Sequence, residues 1–338
     1  MIEHHAAADP VVVALGHTFP DLALERSVLE PIGASVVDGR AVPREAPLWA
    51  RAAGILLGTA VRLDAAWFAR LPRCRAVVRY GIGVDNVDLA AAQSRGIPVS
   101  NVRDYCTDEV AEHALACILA LQRALPYWDR LVRTGSWRGP RAPHLLRLSR
   151  ATLGVVGLGQ IGRAVAWRAA RIFGRVLGYD PAAPAAGRRE EVVRVGSLSE
   201  LLAASDAITL HVPLTDSTRN LIDAGALRQM KPGACLINVS RGGLVDEAAL
   251  FAALDEGHLA GAALDTFVNE PLPAADPLIK NERLILSPHV AWMSDTSALE
   301  LRRRASEEMA RLLTGKPAQF PITSGISQEP PGGVRDSA

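Results

Sequence analysis

Short apolar runs alternate along this chain with amphipathic segments of helical spacing, and that alternation constrains the fold more than any other feature. The runs form two sets. The first lies at 11–15, 35–37, 54–57, 76–79 and 97–99; the second at 153–156, 176–178, 207–211, 235–239, 262–264 and 284–286. Continuous short runs suit strands buried on both faces, and strands separated by helices pair in parallel. Helical segments are expected at 21–29 and 63–70. A longer one opens at Thr107 and Asp108, read as its N-cap, and runs through EVAEHALACILALQRAL to Pro126. The stretch GSWRGPRAPHLLRLSR, 135–150, is basic and broken by Pro and Gly, so it reads as an irregular arm. A charged helix at 298–313 and a Pro/Gly/Ser-rich tail at 323–338, expected to be disordered, close the chain.

The run 153–156 leads directly into Gly157-Leu158-Gly159-Gln160-Ile161-Gly162 and then a helical stretch, RAVAWRAARIF. The first glycine permits a tight turn, the second lets backbone approach a pyrophosphate, and the third brings helix close to strand. The same spacing alone also fits an ordinary turn. Its place between strand and helix, with Asp180 at the end of the next strand, favours a dinucleotide site in which Asp180 meets a ribose diol. A carboxylate there repels a 2′-phosphate, so NAD is expected rather than NADP. Arg188 and Arg189 are candidates to receive such a phosphate; their other reading is as solvated loop charges.

Ligands of doubly wound sheets bind beyond the carboxyl ends of the strands, which turns the strand ends into a list of candidates. Arg241 follows the run at 235–239, Asp265 and then Glu270 follow 262–264, and Ser287-Pro288-His289 follows 284–286. In the first set, Arg79 runs into Tyr80-Gly81-Ile82-Gly83, a glycine-rich anion loop. An Arg, two acids, a His and an anion loop beside a dinucleotide site suit hydride transfer at a carbinol next to a carboxylate. Each also has a plainer reading. Arg241 fits a pair with Asp246, Glu270 fits a turn before its proline, and His289 fits a bonded loop histidine. His113, inside the long helix, reads as structural, while His144 and His211 carry no role from spacing alone.

At 338 residues the chain has room for two domains. With 37 basic and 36 acidic residues its net charge is +1, so it lacks the basic surplus of a nucleic-acid binder. Only Lys231, Lys280 and Lys316 among those cations are lysines, a mark of composition rather than of a binding surface. Cys74, Cys106, Cys117 and Cys235 are irregularly spaced with no CxxC, which argues against a zinc module or disulfide framework and for a reducing compartment. No metal site is expected. The N-terminus lacks a signal-peptide pattern and no apolar stretch has spanning length, so a cytoplasmic protein without membrane or nucleic-acid partners is expected.

From about residue 11 to 321 the chain resembles the D-2-hydroxyacid dehydrogenase family. RYGIGVDNVDLAAAQSRGIPVSN looks like its substrate loop, and VVGLGQIG with Asp180 like its cofactor signature. MKPGACLINVSRGGLVDEAAL, ALDTFVNEP and SPHVAW look like its three catalytic blocks. DYCTDEVAEHAL and HVAW look closest to the C-terminal binding protein-like branch, which holds both dehydrogenases and corepressors.

The resemblance implies an α/β architecture of two Rossmann-like domains. A doubly wound NAD-binding domain, 104–293, would be inserted into a flavodoxin-like substrate domain, 1–103 with 294–322. The active site would lie in a cleft that closes over NAD and a small 2-oxo or 2-hydroxy acid, and the molecule would be a homodimer. By position, His289 would be the acid/base, and Glu270 would hold its imidazole and favour the protonated form. Arg241 would bind the substrate carboxylate and polarise the carbonyl. The amides of Gly81, Ile82 and Gly83 would cradle that carboxylate. Arg79, Tyr80 and Trp292 would shape the pocket, Trp292 favouring a flat or apolar substituent and Arg79 a second anion. Asp265 would meet the nicotinamide end, Gln160 and Ile161 the pyrophosphate, and His211, Val212, Pro213, Val239 and Ser240 would line the cofactor. Arg103 stands where relatives often carry proline. An NAD(H)-sensing corepressor-like role and a phosphite or formate dehydrogenase are the alternatives; formate enzymes of the superfamily usually have Gln in place of Glu270.

Overall fold

The computed structural model describes residues 9–137, 145–182 and 192–323. The chain forms two compact units, one comprising residues up to Tyr105 together with those from Asp295 onward, the other Cys106–Ser294.

The first unit holds β1 (Val11–Leu15), β2 (Ser35–Asp38), β3 (Ala52–Leu57), β4 (Ala76–Arg79) and β5 (Val99–Asn101). They pair in parallel in the order β2-β1-β3-β4-β5, the flavodoxin-like arrangement. Every residue of β1 and β3 is buried, which is why both runs carry no polar alternation. Helices α1 (Ala23–Leu29), α2 (Ala65–Ala69) and α3 (Leu89–Ser94) connect them. Asp64 and Asp88 cap α2 and α3, accepting hydrogen bonds from the N–H of Trp67 and Ala91. The C-terminal helix, Asp295–Leu313, returns to this unit and lies against α1. There Arg302 donates through Nε and Nη2 to the fully buried Glu25 at 2.9 and 2.7 Å. A two-pronged guanidinium–carboxylate bond is the geometry that makes such burial tolerable.

The second unit opens with α4 (Thr107–Gln122) and α5 (Leu125–Arg133) and continues with β6 (Thr152–Val156), α6 (Gln160–Ala169), β7 (Arg175–Tyr179) and β8 (Val193–Arg194). After α7 (Leu198–Ala204) come β9 (Ala207–Leu210), α8 (Ala224–Gln229), β10 (Cys235–Asn238), α9 (Glu247–Asp255), β11 (Gly261–Leu264) and β12 (Leu284–Leu286). The strands, all parallel, run β12-β11-β10-β9-β6-β7-β8. Counted from β6 this is the doubly wound order with one extra strand, and its direction reverses between β6 and β9. A crevice for ligand belongs at that switch point.

Several local expectations are corrected. The long helix ends at Gln122, because Ala124 takes a left-handed φ of 49°, and Pro126 lies in the first turn of α5, where its missing N–H has no partner to lose. The N-cap of α4 is Cys106, with Asp108 and Glu109 in the first turn, favourably placed for the helix dipole. β5 begins at Val99 because the Ile97 N–H turns back to the Ala92 carbonyl and closes α3. The last helix starts three residues earlier than expected, and β8 has only two residues, too few to leave a pattern. The middle of the arm, including His144, lies outside the described residues, as do Arg188, Arg189 and all but the first residue of the tail. Among the described residues no helix is long and apolar enough to cross a membrane.

Candidate active site

At the carboxyl end of β6, each of the three glycines has its own steric reason. Gly157 has a φ of +93°, and a Cβ there would strike the His211 carbonyl; a Cβ at Gly162 would strike the carbonyl of Gly157. Gly159 is different: its φ is ordinary, and a Cβ built there meets nothing within 4 Å. It caps α6, so its open side adjoins the unpaired amides of a helix N-terminus. Gln160 and Ile161 are the first two residues of that helix. Open space beside orphaned donors is what a pyrophosphate requires.

Asp180, just past β7, accepts from the Leu158 N–H at 2.8 Å and the Ala182 N–H at 2.9 Å. It therefore holds the glycine turn from the position at which a dinucleotide-binding fold sets its ribose-binding acid. Arg194, at the end of β8, donates to the Asp180 carbonyl at 2.8 Å. This cation was missed by sequence reasoning because β8 itself was.

His211 follows β9, its Nε2 2.9 Å from Thr209 Oγ1, and its Nδ1 is buried without a hydrogen-bond partner. Burial pushes the ring down to about 3, so it is neutral. Val212 continues from it half-buried, and Pro213 is exposed. Val239 is buried past β10, and the Ser240 hydroxyl donates to the Leu210 carbonyl at 2.7 Å, tying the ends of β9 and β10 together.

Past β12, His289 has a φ of +56°, a left-handed backbone that costs a side-chain-bearing residue about 1 kcal/mol or more. Its N–H is held by the Asp265 carbonyl at 2.7 Å. Its Nδ1 lies 2.8 Å from Glu270 Oε2, and Glu270 Oε1 accepts from the Phe267 N–H at 3.0 Å. Burial pushes the Glu270 carboxyl up, but the hydrogen bond and charge of His289, the Phe267 N–H and the charge of Arg241 outweigh it and hold it below the ordinary carboxylate value. Arg241, past β10, donates from Nη1 to the Ser240 carbonyl at 2.7 Å, and its own carbonyl accepts from Asn238 Nδ2 at 2.8 Å. Asp246 serves as the N-cap of α9, accepting from the Ala249 N–H.

Asp265 is 1% exposed, and its carboxylate accepts from the Ser287 hydroxyl and from the N–H groups of Val290 and Ala291. Its side chain is thus committed to the 287–291 loop, a task no local pattern announced. Trp292 donates from Nε1 to the His289 carbonyl at 3.0 Å.

In the first unit, Arg79 ends β4 largely buried, its Nη1 donating to the Tyr80 carbonyl. Tyr80 is only 4% exposed; its hydroxyl donates to Glu25 Oε1 at 3.2 Å and its ring stands edge-on to Phe19. Its side chain belongs to the interior of this unit. Gly81 has a φ of +125°, and a Cβ there would collide with the Arg79 guanidinium. Among the described residues none accepts a hydrogen bond from the N–H of Gly81, Ile82 or Gly83, which leaves the three amides of 81–83 for an anion.

A family model described as D-isomer specific 2-hydroxyacid dehydrogenase, NAD binding domain, matches residues 115–291. A glyoxylate reductase of Korarchaeum cryptofilum is 38% identical over 274 residues, covering 80% of this chain and 82% of that protein. A D-3-phosphoglycerate dehydrogenase of Archaeoglobus fulgidus is 36% identical over 265 residues, covering 78% of this chain; the chain spans about half (50%) of that protein's length. Among solved structures, a D-lactate dehydrogenase of Aquifex aeolicus complexed with NAD and lactic acid superposes with a TM-score of 0.80 at 28% identity, covering 90% of this chain and 96% of that one.

Proposed function

The chain belongs to the D-isomer specific 2-hydroxyacid dehydrogenase family, and from that premise we propose that it interconverts a small 2-oxo acid and the D-2-hydroxy acid with His289 as acid/base. The observation that carries this reading is the His289–Glu270 pair, 2.8 Å apart and within reach of the charge of Arg241.

The residues of the glycine turn, the amides at Gln160 and Ile161, and the Asp180 carboxylate would hold NAD; when bound it supplies or accepts the hydride. In the reducing direction His289, tied at Nδ1, gives the proton on Nε2 to the carbonyl oxygen; in the oxidising direction Nε2 takes it back. Glu270 keeps the ring in that orientation and stabilises the imidazolium before the proton leaves. Arg241 takes the substrate carboxylate with a planar fork and draws electron density from the adjacent carbonyl. Trp292 bounds the substituent. Asp265 acts through the loop that carries His289.

The test is NADH consumption by the purified chain with glyoxylate, hydroxypyruvate, pyruvate, phenylpyruvate and 2-oxoglutarate offered separately. Turnover of at least one is expected. Silence across the panel with NADH still bound would overturn the reading and favour a binding role.

A further inference from the structure

His113 lies inside α4, and among its neighbours in sequence Ala114 and Ile118 are buried in the second unit. Its Nε2 is 3.1 Å from Ser287 Oγ, which in turn is 2.6 Å from Asp265 Oδ1. The direction of this chain follows from the groups. An ionised carboxylate only accepts, so the Ser287 hydroxyl donates to Asp265; the Ser287 oxygen then accepts, and His113 must carry a proton on Nε2. Beyond Asp265 the same carboxylate receives the N–H of Val290 and of Ala291, both at 2.9 Å, and the Asp265 carbonyl receives the N–H of His289. The chain therefore ends on the two amides that follow His289 and on the amide of His289 itself, the residue whose backbone is held at a φ of +56°.

We propose that His113 is a positioning residue for His289: through Ser287 and Asp265 it fixes the 287–291 loop, and with it the imidazole, in the orientation that meets Glu270. The proposal rests on the reading of His289 as the acid/base. A packing role for His113 would need only its volume. The donor on Nε2 is what the chain uses, because without it Ser287 is free to rotate and Asp265 Oδ1 keeps only the Val290 N–H of its two donors. The left-handed backbone of His289 then has less to hold it, and a small rotation there swings the ring.

The experiment uses the full chain and the variants His113→Leu, Ser287→Ala, the double variant and His113→Gln. The readouts are kcat and KM on the best 2-oxo acid, NADH affinity by fluorescence, and the downfield Nδ1–H proton resonance of His289, identified by its loss in His289→Gln. In His113→Leu and Ser287→Ala, kcat should fall about tenfold or more, since small misplacements of a catalytic group cost that much. NADH affinity should hold within about twofold, and the double variant should be no worse than the worse single, as expected for residues acting in one chain. His113→Gln, which keeps a donor at the same reach, should recover most of the loss, and the His289 resonance should shift or broaden in the Leu and Ala variants only. An unmoved resonance overturns the proposal, as does a loss that adds across the double variant or that Gln fails to repair. Wild-type silence on every 2-oxo acid would sink the proposed function instead; the resonance would still decide the role of His113.

Discussion

His289 Nδ1 lies 2.8 Å from Glu270 Oε2 while the other oxygen of Glu270 is taken by the Phe267 N–H, so the imidazole is tied at one nitrogen and Nε2 is the atom that the proposed mechanism uses. His289→Ala should abolish turnover and leave NADH binding nearly unchanged; wild-type turnover in that variant would remove His289 from the mechanism. Glu270→Gln should lower kcat by about a hundredfold or more. Because the folded Glu270 carboxyl is held below its ordinary value of about 4.3, the pair is fully formed above that pH and is lost only as pH falls through the lower folded value. Any part of the acid limb that reports Glu270 should therefore lie below about pH 4.3, and a limb centred at or above that value and abolished in Glu270→Gln would contradict the lowered carboxyl.

The glycines of the turn separate folding from binding. Gly162→Ala places a methyl against the Gly157 carbonyl and should destabilise the second unit by about 1–3 kcal/mol. Gly159→Ala meets nothing and should leave the unfolding free energy within about 0.5 kcal/mol of wild type, yet weaken NADH binding by filling the space beside the α6 amides. Urea melts and NADH titrations check both. Equal effects of the two variants on stability would refute this division.

His211 makes the second unit sensitive to acid. The buried folded ring is pushed down to about 3, whereas the unfolded imidazole titrates at about 6.5. Below about 6.5 the unfolded chain takes up a proton that the folded one refuses. The contribution is present in full above about 6.5 and lost as pH falls toward 3, at up to about 1.4 kcal/mol per pH unit. Unfolding midpoints followed downward from neutral pH should fall less steeply for His211→Gln than for wild type. Parallel curves would show that the ring is not buried in its neutral form.

Breaking the Glu25–Arg302 pair leaves Arg302 with Asp21 alone, whose carboxylate stands at the longer distance of 3.4 Å. Glu25→Ala should cost about 3–5 kcal/mol of that unit's stability, and a loss under about 1 kcal/mol would mean that Asp21 or water satisfies Arg302 instead. Tyr80 offers a local reporter, since its hydroxyl donates to the same carboxylate.

The features legible in the chain are those with local causes. The glycine turn follows from steric demands within a few residues, and every strand but β8 follows from a short apolar run set between helical segments. The reversal of strand order at β6 and β9, and the return of the last helix to the first unit, came through the family resemblance rather than from periodicity. The features that were not legible depend on partners remote in sequence. Nothing near Tyr80 says that it turns inward, because Glu25 stands 55 residues away. Ser287 stands two residues before His289 with no local sign of its task, because its partner His113 is 174 residues distant. The break in the long helix had a local cue in Pro126, but α5 continues through it, and the turn falls at Ala124, a residue that carries no signal for a left-handed backbone.

The pair between Glu25 and Arg302 spans 277 residues, and that interval has a consequence for synthesis. The second unit is one continuous stretch and can complete its sheet as soon as β12 has left the ribosome. The first unit is made first but finished last: until the C-terminal helix emerges, Glu25 has no guanidinium and the side of α1 that meets that helix stays uncovered. The nascent chain therefore carries an unfinished sheet through the whole time in which the other unit is being made, a period in which chaperones have their best claim on it.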